Sequence, residues 1–169
     1  MKKVMLLVAA LLFSVGANAA TLSLKGFQST NATQNVDVAS GSVVLGSGLA
    51  TLANGGSWKS QFDLSSDTTT PVKVSWTFNP EASLASGWVK FKSAPDDFKT
   101  FFISNVASFS FITTLYANQL SVLDFVDATG SVLKYTVSVS AVPVPAALFL
   151  FAPVLLGFLG LRKKHALTA

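Results

Sequence analysis

The sequence predicts an all-β fold, an antiparallel β-sandwich of jelly-roll or immunoglobulin-like type, exported as an ectodomain and followed by a C-terminal hydrophobic helix. Three observations predict it. Val72, Val74, Trp76 and Phe78 occupy strictly alternate positions with Lys73, Ser75 and Thr77 between them, and Leu133, Tyr135, Val137, Val139 and Ala141 alternate in the same way with Lys134, Thr136, Ser138 and Ser140. Period two is that of a half-buried strand. Gly, Asn, Asp and Pro interrupt residues 20–141 at short intervals, and helical periodicity is nearly absent there. The three tryptophans and the ten phenylalanines of residues 20–141 supply the apolar interior that a sandwich of roughly seven to ten short strands needs.

In chain order, Met1-Lys2-Lys3, the apolar run Val4 to Val15 and the small residues Gly16-Ala17-Asn18-Ala19 have the three regions of a secretory signal peptide, residues 1–19. The Ala17-x-Ala19 pattern places cleavage between Ala19 and Ala20. From Thr21 to Gly56, short apolar runs such as Val43-Val44-Leu45 are broken by Gly41, Gly46, Gly48 and Gly55-Gly56, which reads as short strands with tight turns. Trp58, Phe62 and Leu64 share one parity, and Asp67 to Pro71 connects them to the alternating run that Asn79-Pro80 ends.

Gly87 to Lys92 is a further short strand, and Ala107, Phe109, Phe111 and Leu115 alternate with more polar neighbours. Between them, Pro95 to Phe102 reads as a single helical turn, with Pro early, acids at its positive end and Phe98, Phe101 and Phe102 on one face. Leu120 to Val126 and Ser131 to Ala141 read as the arms of a hairpin around Asp127-Ala128-Thr129-Gly130.

The last strand runs almost directly into Val142-Pro143-Val144-Pro145-Ala146. Two prolines one residue apart remove two backbone donors and hold this stretch extended. Ala146 to Leu161 is sixteen apolar-rich residues, about 24 Å as a helix, and Arg162-Lys163-Lys164 form a basic stop. The positive-inside rule puts that stop on the cytoplasmic side and residues 20–141 outside, as the signal peptide does independently. Motif, hydrophobic run and basic cluster together, from Val142 through Ala147 to the chain end, resemble a PEP-CTERM sorting signal in its Val-Pro-x-Pro-Ala form, with Val144 where the usual motif has glutamate. The resemblance covers residues 142–169 only. It implies an exopolysaccharide-producing Gram-negative bacterium and processing by an exosortase, a membrane-embedded cysteine transpeptidase-like enzyme, with the product held transiently in the inner membrane and then released or attached at the cell surface. It carries no activity over to residues 20–141.

The formal charge of +4 belongs to the ends. Lys2, Lys3, Arg162, Lys163 and Lys164 supply five positive charges, which leaves seven lysines against eight acids in residues 20–141 and no basic nucleic-acid footprint. There is no cysteine, and the single histidine, His165, lies beyond the hydrophobic run, so imidazole and thiol chemistry have no residues in the domain. No cofactor is expected.

Catalysis would rest on Asp37, Asp63, Asp67, Glu81, Asp96, Asp97, Asp124 and Asp127, most of them near predicted turns where solvated carboxylates are ordinary. Asp124 with Asp127 and Asp96 with Asp97 are oxygen-only clusters of the kind calcium accepts, but neither matches a known calcium loop, and no metal site is assigned. Trp88 is the candidate ligand platform: its parity partners are Lys90 and Lys92, while Val89 and Phe91 take the other face. The sequence thus points first to a non-enzymatic surface or matrix protein of the extracellular polysaccharide or biofilm layer. The alternative is a membrane-anchored or released carbohydrate-binding β-sandwich domain, with calcium dependence and hydrolysis left open.

Overall fold

The structure, a computed structural model, describes residues 19–50, 56–79, 84–93, 97–130 and 134–142, with the backbone alone at Asp97. The signal peptide through Asn18, Ala17 included, lies outside the described residues, as do Pro143, Val144, Pro145 and Ala146 of the motif, the hydrophobic helix, and Arg162, Lys163 and Lys164.

Eleven strands are described: β1 (Leu22–Thr30), β2 (Ala32–Val38), β3 (Ser40–Gly41), β4 (Val43–Ala50), β5 (Trp58–Ser66), β6 (Thr70–Asn79), β7 (Leu84–Ser93), β8 (Asp97–Ile103), β9 (Ser108–Leu115), β10 (Ser121–Gly130) and β11 (Lys134–Ala141). They form a six-stranded sheet in the order β3-β1-β5-β10-β7-β8 and a five-stranded sheet in the order β2-β4-β11-β6-β9. Neighbours in both are antiparallel. Successive strands change sheet at every connection except that from β7 to β8, the one consecutive pair of described strands hydrogen-bonded to each other.

The alternating sequences become the inner faces. Val72, Val74, Trp76 and Phe78 of β6, Tyr135, Val137 and Val139 of β11, and Trp58, Phe62 and Leu64 of β5 are all buried. Rings meet between the sheets: Trp58 stacks on Tyr135 with centroids 4.7 Å apart and planes 12° apart, and Trp76 lies 5.2 Å from Phe125 of β10. At the β8/β9 flank, Phe101 packs 5.2 Å from Phe109 and 5.0 Å from Phe111.

Three sequence expectations are corrected. The stretch read as a helical turn, Pro95 to Phe102, contains instead the strand β8, seven residues paired along their length with β7. Aromatic and β-branched residues at 98, 100, 101, 102 and 103 suit a pleated surface better than one helical turn. The hairpin around Asp127 is not formed: β10 continues through Asp127-Ala128-Thr129-Gly130, with a register shift and Asp127 at φ 52°, and β10 and β11 lie in different sheets. Each carries a full inward apolar row, so each covers the core from its own side.

Gly46 and Gly48 also do not break strands; both lie inside β4. A Cβ at Gly46 would stand 2.7 Å from Phe62 Cε1, and one at Gly48 would collide with the Tyr135 hydroxyl and the Thr33 carbonyl. The Tyr135 hydroxyl shares its proton between Ser60 Oγ at 2.9 Å and that carbonyl at 3.1 Å. Gly48→Ala is therefore expected to destabilise the fold by about 3 kcal/mol through overpacking. Gly26→Ala, whose Cβ would meet nothing closer than 3.7 Å, should stay within about 1 kcal/mol of the parent. Urea denaturation of the two variants checks this.

Candidate functional site

The outer face of the six-stranded sheet carries the residues that a solvent face does not need. On β7 the outward positions are Trp88, Lys90 and Lys92, while Val89 and Phe91 are fully buried. On β8 they are Phe98, Thr100 and Phe102. The ladder sets these side by side, with Trp88 opposite Phe102, Lys90 opposite Thr100 and Lys92 opposite Phe98. Trp88 is 39% exposed, Phe102 56% and Phe98 60%. The Trp88 and Phe102 rings lie 5.0 Å apart with planes inclined at 57°, so they form a wedge rather than a flat platform.

The rows continue inward across the sheet. Val126 of β10 stands opposite Trp88, Asp124 opposite Lys90, and Val122 opposite Lys92. On β5, Gln61 pairs with Asp124 and Asp63 with Val122, and beyond them Gln28 and Lys25 of β1 pair with Gln61 and Asp63. At about 3.4 Å per residue, Trp88 to Lys92 spans about 14 Å along the strand, and successive strands add about 4.8 Å each. The patch is open, with Trp88 followed by two lysines along β7 and Thr100 between two phenyl rings along β8.

Asp124 is the perturbed group of this face. It is half-buried, its Oδ1 has no hydrogen-bond partner among the described residues, and burial raises its carboxyl above the ordinary 3.8, against the pull of Lys59 and Lys90 and with a small push from Asp63. Asp63 and Asp124 are diagonal neighbours projecting from one surface. Among the described residues no group of three or more acids or histidines could hold a metal ion. Asp124 faces lysines, and Asp127 follows three residues later on the same strand at its bulge.

The remaining acids are scattered. Asp37 lies on the edge strand β2, and Asp97 opens β8. Asp67 sits at the corner after β5, where the Thr21 N–H donates to its Oδ1 at 2.9 Å and holds its carboxyl below the ordinary value. Glu81 and Asp96 lie outside the described residues. Of the residues at the chain ends, Ala19 is exposed, Ala20 buried and Val142 half-buried.

The five-stranded sheet has a different exterior. One row across all its strands reads Asn35, Ser47, Thr136, Thr77, Ser108, and the next reads Leu45, Ser138, Ser75, Ser110. A shallow depression of about 220 Å³ there is lined by Asn35, Ser47, Gly48, Leu49 and Lys134, with no aromatic ring.

Phe98 and Phe102 are the site residues that the sequence reading misplaced. The signal that locates them is the period-two spacing of Phe98, Thr100 and Phe102, which a helical reading of the same stretch hides.

The raised carboxyl has a thermodynamic consequence. The folded state keeps the Asp124 proton to higher pH than the unfolded chain does, so the ionised group costs stability above its raised pKa, and this cost disappears below about pH 3.8 where both states are protonated. Asp124→Asn should therefore be more stable than the parent at neutral pH, with the difference shrinking as pH falls toward 3.8. Urea midpoints across that range read it directly.

No family model matches the sequence, and a comparison with curated proteins finds no sequence relative. Among solved structures, the fold is similar to a β-1,4-mannanase of Podospora anserina that joins a GH26 domain to a CBM35 domain, with TM-score 0.41 and 16% identity over 73% of this chain and 28% of that one. It is similar to a carbohydrate-binding module of Cellvibrio mixtus lichenase 5A in complex with cellotriose, with TM-score 0.40 and 12% identity over 74% and 98% of the two chains. It is also similar to the C-terminal CBM6 of a laminarinase of Zobellia galactanivorans, with TM-score 0.41 and 7% identity over 70% and 98%. At these scores neither the ligands nor the activities of those proteins transfer to this chain. The chain spans only about a quarter of the mannanase.

Proposed function

We propose that this protein binds polysaccharide on the outer face of its six-stranded sheet, a sugar ring stacking in the wedge of Trp88 and Phe102. The observation that carries this reading is the outward placement of three aromatic rings on the paired arms of β7 and β8, two of them in contact with each other. Large apolar rings left in water on a well-packed domain mark an interaction surface. The C–H groups of a pyranose ring complement an aromatic face, while its hydroxyls find partners in the neighbouring row of Lys90, Asp124, Gln61 and Thr100.

Binding without catalysis is the form of this reading that the geometry supports. A glycosidase sets its two carboxyl groups on either side of the scissile bond. Asp63 and Asp124 project together from one open surface.

The placement of the domain ends supports export and surface display. Thr21 bonds to Asp67 at the β5–β6 corner, and the Val142 N–H donates to the Pro71 carbonyl at 2.8 Å, so both ends leave by one pole of the sandwich. The Trp88–Phe102 row lies toward the opposite pole, two rows beyond that of Lys92. Attachment through Val142 would hold the sandwich by the pole away from the wedge. We propose that the chain is exported, sorted by an exosortase through Val142 to Ala146, and acts in the extracellular polysaccharide layer.

Trp88→Ala and Phe102→Ala in the full chain should each weaken binding to a recognised polysaccharide about tenfold, or about 1.4 kcal/mol, as loss of a central aromatic contact does. Both variants should stay folded, losing about 1 kcal/mol of stability with the cross-strand ring contact, a loss that urea denaturation reads separately from binding. Affinity electrophoresis against a panel of neutral and charged glycans measures the first, and retention of none of them would overturn the reading. For sorting, mass spectrometry of native material is expected to find the domain without residues 1–19 and without Arg162 to Ala169. Chains that retain the basic tail would overturn processing.

A further inference from the structure

We infer that the polysaccharide held on this face is anionic, its carboxylates met by Lys90, Lys92 and Lys59 while a sugar ring lies against Trp88 and Phe102. The inference rests on the carbohydrate reading above and names its ligand class. What carries it is the placement of two cations, Lys90 and Lys92, directly after Trp88 on one face of β7. Residues 20–141 are slightly acidic as a whole, with seven lysines against eight acids. The outer face of the six-stranded sheet reverses that balance by one charge, with Lys25, Lys59, Lys90 and Lys92 against Asp63, Asp124 and the exposed Asp127 at the β10 bulge. Asp37 and Asp67 lie away from it, on β2 and at the β5–β6 corner.

The cations also stand where a ligand crossing the wedge would meet them. Lys90 and Lys92 follow Trp88 on the same strand at successive outward positions, and Lys59 lies on β5 one row from Gln61. Among the described residues neither Lys90 nor Lys92 is engaged in a hydrogen bond or a salt bridge, and the cross-strand neighbours of Lys92 are Val122 and Phe98. Lys59 donates only a long hydrogen bond, 3.4 Å, to Gln28 Oε1. A neutral glycan would leave the Lys92 ammonium, and the part of the Lys90 charge that Asp124 does not meet, without a counter-charge; a polymer with a carboxylate on its sugar rings answers them at a spacing the strand sets, about 7 Å between successive outward residues.

Asp124 opposes such a ligand. It faces Lys59 and Asp63 from β5 and Lys90 from β7, and its burial already favours the neutral acid. Removing its charge should strengthen the interaction, a gain that misfolding cannot mimic.

The test compares polygalacturonate with its methyl ester, which keeps the backbone and erases the charge, using the full chain at low ionic strength. Polygalacturonate is expected to bind at least tenfold more tightly than the ester, with the preference lost in high salt. Lys92→Gln should lower affinity for polygalacturonate about two- to fivefold and leave the ester unaffected, and Asp124→Asn should raise it by a similar factor. Trp88→Ala should weaken both. Equal binding of the two polymers that depends on Trp88 would overturn the anionic ligand and leave the carbohydrate reading standing. Binding of neither, nor of any glycan in the panel, would overturn both. Equally tight binding of dextran sulfate that ignores Trp88→Ala would overturn the inference in favour of unspecific polyanion attraction.

Discussion

The stack of Trp58 on Tyr135 is the contact on which the rest of the structure depends. With ring centroids 4.7 Å apart and planes 12° apart, it joins β5 of one sheet to β11 of the other at the centre of the sandwich. Trp76 and Phe78 of the second sheet close on Phe125 of the first at 5.2 and 5.4 Å. Rings of this size fit between the sheets only where the opposing backbone gives way. Gly46 and Gly48 do so under Phe62 and Tyr135, and Gly87 does so under Phe125, whose Cζ lies 2.7 Å from where a Cβ would stand. At these three places the interior is filled by setting a large ring against a missing side chain. Its cost is visible in the indole N–H groups of Trp58 and Trp76, which have no acceptor among the described residues. An unmet buried donor costs about 1–3 kcal/mol, which the burial of aromatic area offsets.

Gly87 links that core to the surface. Phe125 occupies the space beneath Gly87, which fixes the depth of β7 at this point, and the pleat then sends the next residue, Trp88, outward. Phe102 joins it because β7 and β8 are paired without a register shift from Gly87–Ile103 to Ser93–Asp97. A one-residue slip of β8 would turn Phe98 and Phe102 inward and Lys99 and Phe101 outward. The inward contacts oppose that slip: Phe101 is held by Phe109 and Phe111, and Lys99 Nζ donates to Thr113 Oγ1 at 2.9 Å. The wedge is thus positioned by the packing beneath it and not by a flexible loop.

The sequence made the inner faces legible because burial leaves a period. In β6, and in β11 at Tyr135, Val137 and Val139, the buried positions are those that the alternation marks, since one side of each strand is covered and the other faces outward. The same rule put Trp88 on the side of Lys90 and Lys92. Pairing was less legible, because a strand's own pattern records which face is buried and not which neighbour it meets. β10 and β11 have the right length and separation for a hairpin, yet they cover opposite sides of the core. Gly46 and Gly48 misled for a related reason: glycine in a strand sequence reads as a turn until the ring that needs its missing Cβ is known. Phe98, Phe101 and Phe102 satisfy helical and strand spacing alike over so short a stretch, and only the ladder to β7 decides between them.

The two exteriors of one sandwich allow the functional face to be chosen on physical grounds. Period two obliges every strand to present something to water, and on the five-stranded sheet that obligation is met with the hydroxyl side chains of Thr136, Thr77, Ser108, Ser138, Ser75 and Ser110 and with the aliphatic Val43, Leu45, Leu49 and Ile112, but with no exposed aromatic ring among the described residues of its strands. The fold demands nothing more of the six-stranded sheet, and threonine at 88, 98 and 102 would suit its pleat as well as the aromatic rings do. Instead β7 and β8 of this sheet expose one indole and two phenyl rings beside Lys90 and Lys92, and β1 exposes Phe27. Neither choice contributes to the interior, whose apolar residues lie on the opposite parity. Exposed rings carry a standing solvation cost and an aggregation risk, and like charges on neighbouring rows repel. Both costs fall when a ligand covers the rings and carries the opposite charge, and that coincidence distinguishes this face from a merely solvated one.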